Sequence, residues 1–509
     1  MILTPVDPHA VPAGLSSALA GPSSALAAAI AIALCVPVAL PALVFAASAS
    51  AAVIGRPLRG IVSMRLARAA FLGAALAVFA AAVGFLYGRS HGFPAGFVVP
   101  LGHWFAVEDA ARHHYGFDLE VRVDGLAILF AATGALLLGT VGAFSVRYLR
   151  REDGADRFFR LLMLFAAAFS LLVIAGSLDL LFVGWELVGI TSAMLIGFYR
   201  DRTPATRHAV LALTVYRVCD AALLLVLIGM HHAVGTGSFG PLDQPLALSA
   251  AAATWFGVGL WFAGLGKGAQ WPLTAWLPRA MEGPTSSSAV FYGALSVHAG
   301  VYVLLRTEPL WGDSVLARLV MLTSGALTVV MATLSGRVQS DVKSSQAFAS
   351  AAQVGIITVE VALGWTTLAM WHACAHAIAR TYALLRAPNV IAEHQQVERA
   401  LGRPMPSTGD AYERWLPAHV RAQLYGYALA RGRAEFVAAS ALQWLRRGVL
   451  WLDALDQWCS VGRGVPQGGT ALSEGRSGRL AAERWPRVGV ADDGASTAQP
   501  LASAPEVRS

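Results

Sequence analysis

Lysine is nearly missing from this chain. Of its 38 basic residues only Lys267 and Lys343 are lysines, and the rest are arginines. Charge as a whole is sparse, 14% of 509 residues, which is too little to solvate an ordinary soluble surface. Cysteine is sparse too: Cys35, Cys219, Cys374 and Cys459 lie far apart with no CxxC or paired spacing, which argues against a disulfide framework or a cysteine metal site. Nucleotide signatures are missing as well. Gly266-Lys267-Gly268 has no Ser or Thr after its lysine, and Gly264-Leu265-Gly266 has no GxGxxG continuation. The start of the chain has no basic region before its first apolar run, so a cleaved signal peptide is not expected and the first helix stays.

What the chain has in abundance is apolar sequence, 56% of all residues. This reads as an all-α polytopic membrane protein. Stretches able to cross a hydrocarbon core of about 30 Å fall at roughly 25–54, 67–87, 125–146, 160–178, 180–199, 208–231, 251–277, 285–305, 315–335, 345–363 and 366–386. That is a bundle of about eleven spanning helices, with room for further short or re-entrant segments. The formal charge of +7 would suit nucleic acid, but the arginines sit between apolar segments rather than on one face. Arg56 to Arg68, Arg147 to Arg160 and Arg200 to Arg207 mark alternate loops. The positive-inside rule then puts the N-terminus outside and the tail from Ala387 in the cytoplasm. In the external loop 88–124, Phe117 to Asp124 alternate apolar and charged residues, which predicts a short hairpin.

Charges inside spanning segments are costly and mark functional sites by default. Glu186 and Lys267 each lack an opposite charge on their own helix, so the expected arrangement pairs them across helices. Lys267 is informative because a desolvated lysine can release its proton and an arginine cannot; the bland alternative is a stem that snorkels to an interface. The glycines around Lys267, followed by Pro272, predict a broken helix with water access. Arg217 and Asp220 form an i,i+3 pair, read most simply as fixed structural glue. His298 follows Gly283-Pro284-Thr285 in a helix that also carries Tyr292, and His372, His376 and Arg380 share one face of the eleventh helix. The His372/His376 spacing is zinc-like but has no third ligand in view, so a hydrogen-bonded water path is the favoured reading.

Trp185-Glu186, Arg217 with Asp220, Gly266-Lys267-Gly268-Ala269-Gln270, Gly283-Pro284-Thr285, Gln339-Ser340-Asp341-Val342-Lys343 and His372-x3-His376 occur in this order. With them, residues 118–390 resemble the proton-translocating antiporter-like subunits of respiratory complex I and Mrp antiporters. The resemblance implies that Glu186 and Lys267 are the coupled pair of a proton half-channel and that Arg217 and Asp220 tune it. It extends the pathway through His298, His372, His376 and Arg380, with Asp341 and Lys343 as an inner-side relay. Three departures stand out: Tyr292 replaces the family's usual histidine, Arg380 its usual lysine, and no spanning segment follows residue 386, so a truncated second repeat is expected.

The arginine-rich tail carries Glu393-His394, Glu398-Arg399-Ala400-Leu401-Gly402 and Tyr412-Glu413-Arg414-Trp415-Leu416-Pro417. A shortened antiporter-like subunit with such a tail resembles the DabB family, the membrane subunits of DAB inorganic-carbon accumulation complexes. This implies a DabA-like cytoplasmic partner that is zinc-binding and resembles a β-carbonic anhydrase, with no cofactor or metal in this chain. The expected organisation is N-terminal helices and external loop over 1–117, the antiporter-like core over 118–390, an amphipathic cytoplasmic helical tail over 391–460 that meets a partner or the membrane lipid, and a disordered end over 461–509. The expected function is ion conduction, by protons or sodium, in the cell inner membrane, driving a partner's hydration of CO2 to bicarbonate. The rival readings are a cation/proton antiporter or NADH-quinone oxidoreductase-like membrane subunit, and a non-conducting membrane anchor.

Overall fold

A computed structural model describes residues 22–108, 114–291, 293–403, 415–431, 447 and 451. Tyr292, most of the expected amphipathic stretch from Phe436 to Leu455, and the end 461–509 lie outside the described residues. Residues 1–441 form one compact unit; in the second, 442–509, only Arg447 and Trp451 are described, both helical.

The first unit is mostly helical. Its elements are α1 (Pro22–Val53), α2 (Gly60–Ser90), β1 (Gly96–Glu108), β2 (His114–Asp124), α3 (Gly125–Tyr148), α4 (Ala155–Ile174), α5 (Leu178–Ile196), α6 (Thr203–Val234), α7 (Ala250–Lys267), α8 (Trp276–Arg279), α9 (Thr285–Phe291), α10 (Ala299–Arg306), α11 (Glu308–Trp311), α12 (Val315–Arg337), α13 (Val342–Ala362), α14 (Thr366–Leu401) and α15 (Ala418–Leu429). Among the described residues, seven helices, α1 to α6 and α12, are long and apolar enough to cross a membrane. Helices α7, α13 and α14 occupy other expected spans without meeting the same limits of length and composition. The molecule is apolar outside and charged inside: Ile32, Leu43, Leu72 and Phe79 are exposed on α1 and α2, whereas Asp220, Lys267 and Glu360 are buried. Lipid in place of water explains that inversion.

Short side chains start the helices. Asp124, Ser177, Ser249, Ser314 and Asp341 each accept a hydrogen bond from the backbone N–H three residues on, capping α3, α5, α7, α12 and α13. At the centre lies α4, whose Phe158, Phe159, Phe165 and Phe169 are all buried and which, beyond Arg160, carries no charged residue on any side. The predicted hairpin is present and longer than expected: β1 and β2 pair antiparallel from Gly96–Asp124 to Glu108–His114. It is tied to the α4–α5 connection by the Gly176 N–H bond to the Glu120 carbonyl, 2.8 Å.

Two helices are broken. The first break is the predicted one: α7 stops at Lys267, and Ala269, at φ 49°, turns the chain out of it in the left-handed region. The freed groups find partners inside the protein. Trp276 Nε1 donates to the Gly266 carbonyl, the Trp271 N–H to Thr328 Oγ1, and Gln270 Nε2 to Thr358 Oγ1, at 3.0, 2.9 and 2.8 Å. The second break corrects the expected continuous helix over 285–305. Between α9 and α10 the N–H groups of Gly293, Leu295 and Ser296 bond five residues back, to Ser288, Val290 and Phe291. That π-type turn needs no proline, and it leaves His298 at the start of α10 rather than inside a helix.

The two breaks meet where Gly264 of α7 crosses Gly300 of α10. A Cβ on Gly300 would lie 2.7 Å from the Gly264 carbonyl oxygen and 2.8 Å from its Cα, both backbone atoms that cannot step aside. Gly300→Ala is therefore expected to destabilise the domain by about 1–3 kcal/mol, read as a lower melting temperature in detergent; an unchanged melting temperature would contradict the close crossing.

Candidate functional site: a buried row of charges

Lys267 ends α7 with its ammonium group fully buried. Its Nζ sits over the Trp185 ring at 4.6 Å and the Tyr216 ring at 4.7 Å, and 3.8 Å from Asp220 Oδ1. It makes no hydrogen bond to protein. Gly189 on α5 provides its space, since a Cβ there would stand 2.9 Å from Nζ. Asp220 accepts from Trp185 Nε1 and is ion-paired with Arg217 Nη2 at 2.8 Å. Arg217 also bridges to Glu186.

The order is thus Lys267, Asp220, Arg217, Glu186, with alternating sign. This corrects the expected Lys267–Glu186 pair and the reading of Arg217–Asp220 as separate glue. The reason is helical azimuth. Trp185 and Glu186 are neighbours about 100° apart on α5; Trp185 points inward to Lys267, so Glu186 points sideways to Arg217. Side-chain exposure is 19% at Glu186 and 41% at Arg217, then falls to 3% at Asp220 and 0% at Lys267.

Magnitudes explain why such a row can act. A carboxylate at 3.8 Å gives Lys267 on the order of 4 kcal/mol at an effective dielectric constant of 20, and each ring adds about 0.5–2 kcal/mol. Desolvating the ion costs several kcal/mol. The balance is close, and Asp220 is shared. When Arg217 takes Asp220, Lys267 loses its main partner; when Glu186 takes Arg217, Lys267 regains it.

A second polar group surrounds α14. His298 Nδ1 donates to the Ala294 carbonyl, so its Nε2 is the acceptor for His376 Nδ1, 3.0 Å away. That tautomer leaves His376 Nε2 buried as an acceptor with no protein partner. His372 bonds instead to Glu360 Oε1 at 2.8 Å and Gln353 Oε1 at 3.1 Å. Arg380 donates to Gln346 Oε1. The zinc-like pair therefore has other partners, and among the described residues no three metal-ligating side chains converge. The hydroxyls of Tyr216, beside Lys267, and of Ser296, two residues before His298, are buried without a close protein hydrogen bond. Buried groups left open in this way are where ordered water belongs.

Asp341 and Lys343 are placed otherwise than an inner relay would suggest. Asp341 caps α13, and Lys343 Nζ donates to the carbonyls of Met281 and Gly283, clamping the turn before α9. Two features were missed in the sequence. Glu360 is an acidic residue inside an apolar run, the same signal that marked Glu186. At the hairpin end, Asp124 accepts from both Arg306 and Arg122, and Arg122 reaches Asp243 at 2.5 and 2.6 Å. Burial would raise the Asp124 carboxyl, but the two guanidiniums reverse this and hold it well below the usual carboxylate range.

A helical membrane bundle with a broken helix, a buried lysine and a row of paired charges has the parts that an ion path through a membrane would need. Residues 175–402 match the family described as NADH:quinone oxidoreductase/Mrp antiporter, TM. This segment is similar to the antiporter-like membrane domains of that family. NADH-ubiquinone oxidoreductase chain 5 from Balaenoptera physalus is 32% identical over 289 residues, 57% of this chain and 46% of that protein. The Hippopotamus amphibius protein of the same name is 29% identical over 316 residues, 61% of this chain and 52% of that one. The chain spans about half the length of the curated relatives it matches. Among solved structures, a chain of the Mrp complex from a Dietzia species superposes with a TM-score of 0.57 at 27% identity, over 70% of this chain and 37% of that one. A chain of an archaeal membrane-bound sulfane sulfur reductase shares the fold, with a TM-score of 0.57 at 20% identity, over 69% of each.

The corrected pairing is testable by double-mutant cycles on thermal stability. Lys267→Met with Asp220→Asn is expected to show a coupling of about 1–3 kcal/mol, and Lys267→Met with Glu186→Gln less than about 0.5 kcal/mol. The reverse ranking would restore the Lys267–Glu186 pair.

Proposed function

We propose that this chain is the proton-conducting membrane subunit of an energy-coupled inorganic-carbon pump. The observation that carries conduction is the row from Arg217 at the protein surface to the fully buried Lys267, with Asp220 shared between the two cations. A proton entering beside Glu186 and Arg217 alters which cation Asp220 serves. Lys267 then passes its proton on through Tyr216, Ser296 and bridging water toward His298 and His376. The chain itself does no covalent chemistry in this reading. Its N-terminus is outside, its tail is cytoplasmic, and the membrane is the cell inner membrane.

What supports the carbon-pump reading is the tail signature from Glu393 to Pro417 and its likeness to DabB-type subunits. A DabA-like zinc subunit in the cytoplasm would hydrate CO2, and ion entry would bias it toward bicarbonate. One charge moving down 100 mV releases about 2.3 kcal/mol, roughly a fifty-fold shift in an equilibrium. The likeness to a chain of the Mrp complex favours a second reading, a cation/proton antiporter subunit.

Growth of a deletion strain separates the two. The carbon-pump reading expects failure in air and rescue by raised CO2, with a zinc protein co-purifying with this chain. Sodium or alkali sensitivity without a CO2 effect, or a set of redox subunits in the pull-down, would overturn it.

A further inference from the structure

The charge row explains one side of a conduction path, and the structure carries a candidate for the other. At the hairpin end a cavity of about 300 Å³ is lined by Arg122, Asp124, Asp243, Arg306, Thr366 and Met370, among others. It has room for on the order of ten waters. Four of its charges are locked to one another, since Asp124 binds both arginines and Arg122 also holds Asp243, while Glu308 on the same wall pairs with Arg318 outside it. The wall thus combines paired charges with apolar residues such as Leu126, Phe239 and Leu305, and offers no free charge that would trap an ion.

Beneath it lies a second, far smaller cavity of about 10 Å³, bordered by Phe130, Thr133, His298, Ala373 and Cys374. It has space for a single water at most. Three helices wall both cavities in the same order. On α3 the residues run from Asp124 and Leu126 to Phe130 and Thr133; on α10 from Arg306 down to His298; on α14 from Thr366 and Met370 to Ala373, Cys374 and Ala377. Along α14 these positions fall on one helical face, about 16 Å long at 1.5 Å per residue. Phe130 closes against Tyr302, with ring centroids 5.0 Å apart. Tyr302 is itself committed, donating to the Val173 carbonyl and accepting from Arg306, so its hydroxyl is not a free relay. Met370 lines the upper cavity and stands one turn above Cys374, which lines the lower. An unbranched thioether can swing aside at little cost.

We infer that the hairpin-side cavity is the second mouth of the proton path, opened to His298 and His376 by movement of Met370. It rests on the proton-conduction reading above and deepens it, giving this domain both openings within α3 to α14. Protons are the ion that fits, because the lower cavity is too small for a hydrated metal cation and is bordered by His298, whose Nε2 bonds to His376.

The test uses the full chain in its native membrane assembly, in sealed vesicles of both orientations. Thr366→Cys is treated with a membrane-impermeant, charged methanethiosulfonate reagent, and Leu101→Cys, on the exposed part of the hairpin, reports which side the hairpin faces. Thr366→Cys is expected to react only from the Leu101 side, and proton flux in the same vesicles to fall at least several-fold after reaction. Met370→Trp, which fills the gate, is expected to lower flux comparably while assembled protein stays at its normal level. Unchanged flux after complete modification, reaction only from the opposite side, or normal flux in Met370→Trp overturns the second mouth while leaving conduction standing. Absence of any Lys267-dependent proton flux in the unmodified protein overturns the conduction reading, and the mouth with it.

Discussion

The structure depends on one carboxylate with two cationic claimants. Asp220 lies 3.8 Å from the fully buried Lys267 and 2.8 Å from Arg217, whose side chain is partly exposed. A buried ion pair is weak evidence for stability, because desolvation offsets most of what the contact returns. A shared partner is different, for it makes the protonation of one cation depend on the position of another. Arg217 keeps its charge at any accessible pH, so in the proposed path Lys267 is the group that would change state.

Much of the surrounding architecture serves to hold that arrangement without rigidly satisfying it. Gly189 leaves room for the ammonium group, and Trp185 and Tyr216 face it with π-clouds rather than with hydrogen-bond acceptors. The broken end of α7 brings Lys267 to the last turn of a helix, where the backbone dipole favours a cation. Trp276, Thr328 and Thr358 satisfy the backbone and the Gln270 amide released by the break. The π-type turn before α10 does the same for His298, aiming its Nε2 at His376. Both groups therefore sit at helix interruptions, where side chains gain freedom that a continuous spanning helix would deny them.

The sequence made the apolar spans, the hairpin and the first break legible, because each has a strong local signal: a long hydrophobic run, an alternation of period two, glycines followed by proline. The grouping of His372, His376 and Arg380 on one helix was equally legible from spacing. Partner choice was not. Glu186 and Trp185 differ by one position, and only the packed azimuth of α5 decides which of them faces Lys267. The second break had no proline to announce it, since a π-type turn forms from ordinary small residues such as Gly293, Ala294 and Ser296. The Asp124–Arg306–Arg122 cluster joins residues up to 184 positions apart near segment ends, where charge is common and attracts no notice.

The account stands or falls on whether Lys267 changes its protonation state during conduction. The direct measurement is proton flux into vesicles containing the assembled protein with Lys267→Arg, which keeps the positive charge but cannot release it near neutral pH. Normal assembly with flux reduced at least a hundredfold is the predicted result. Wild-type flux through the arginine variant would show that the buried cation is only a fixed charge, and would contradict the account.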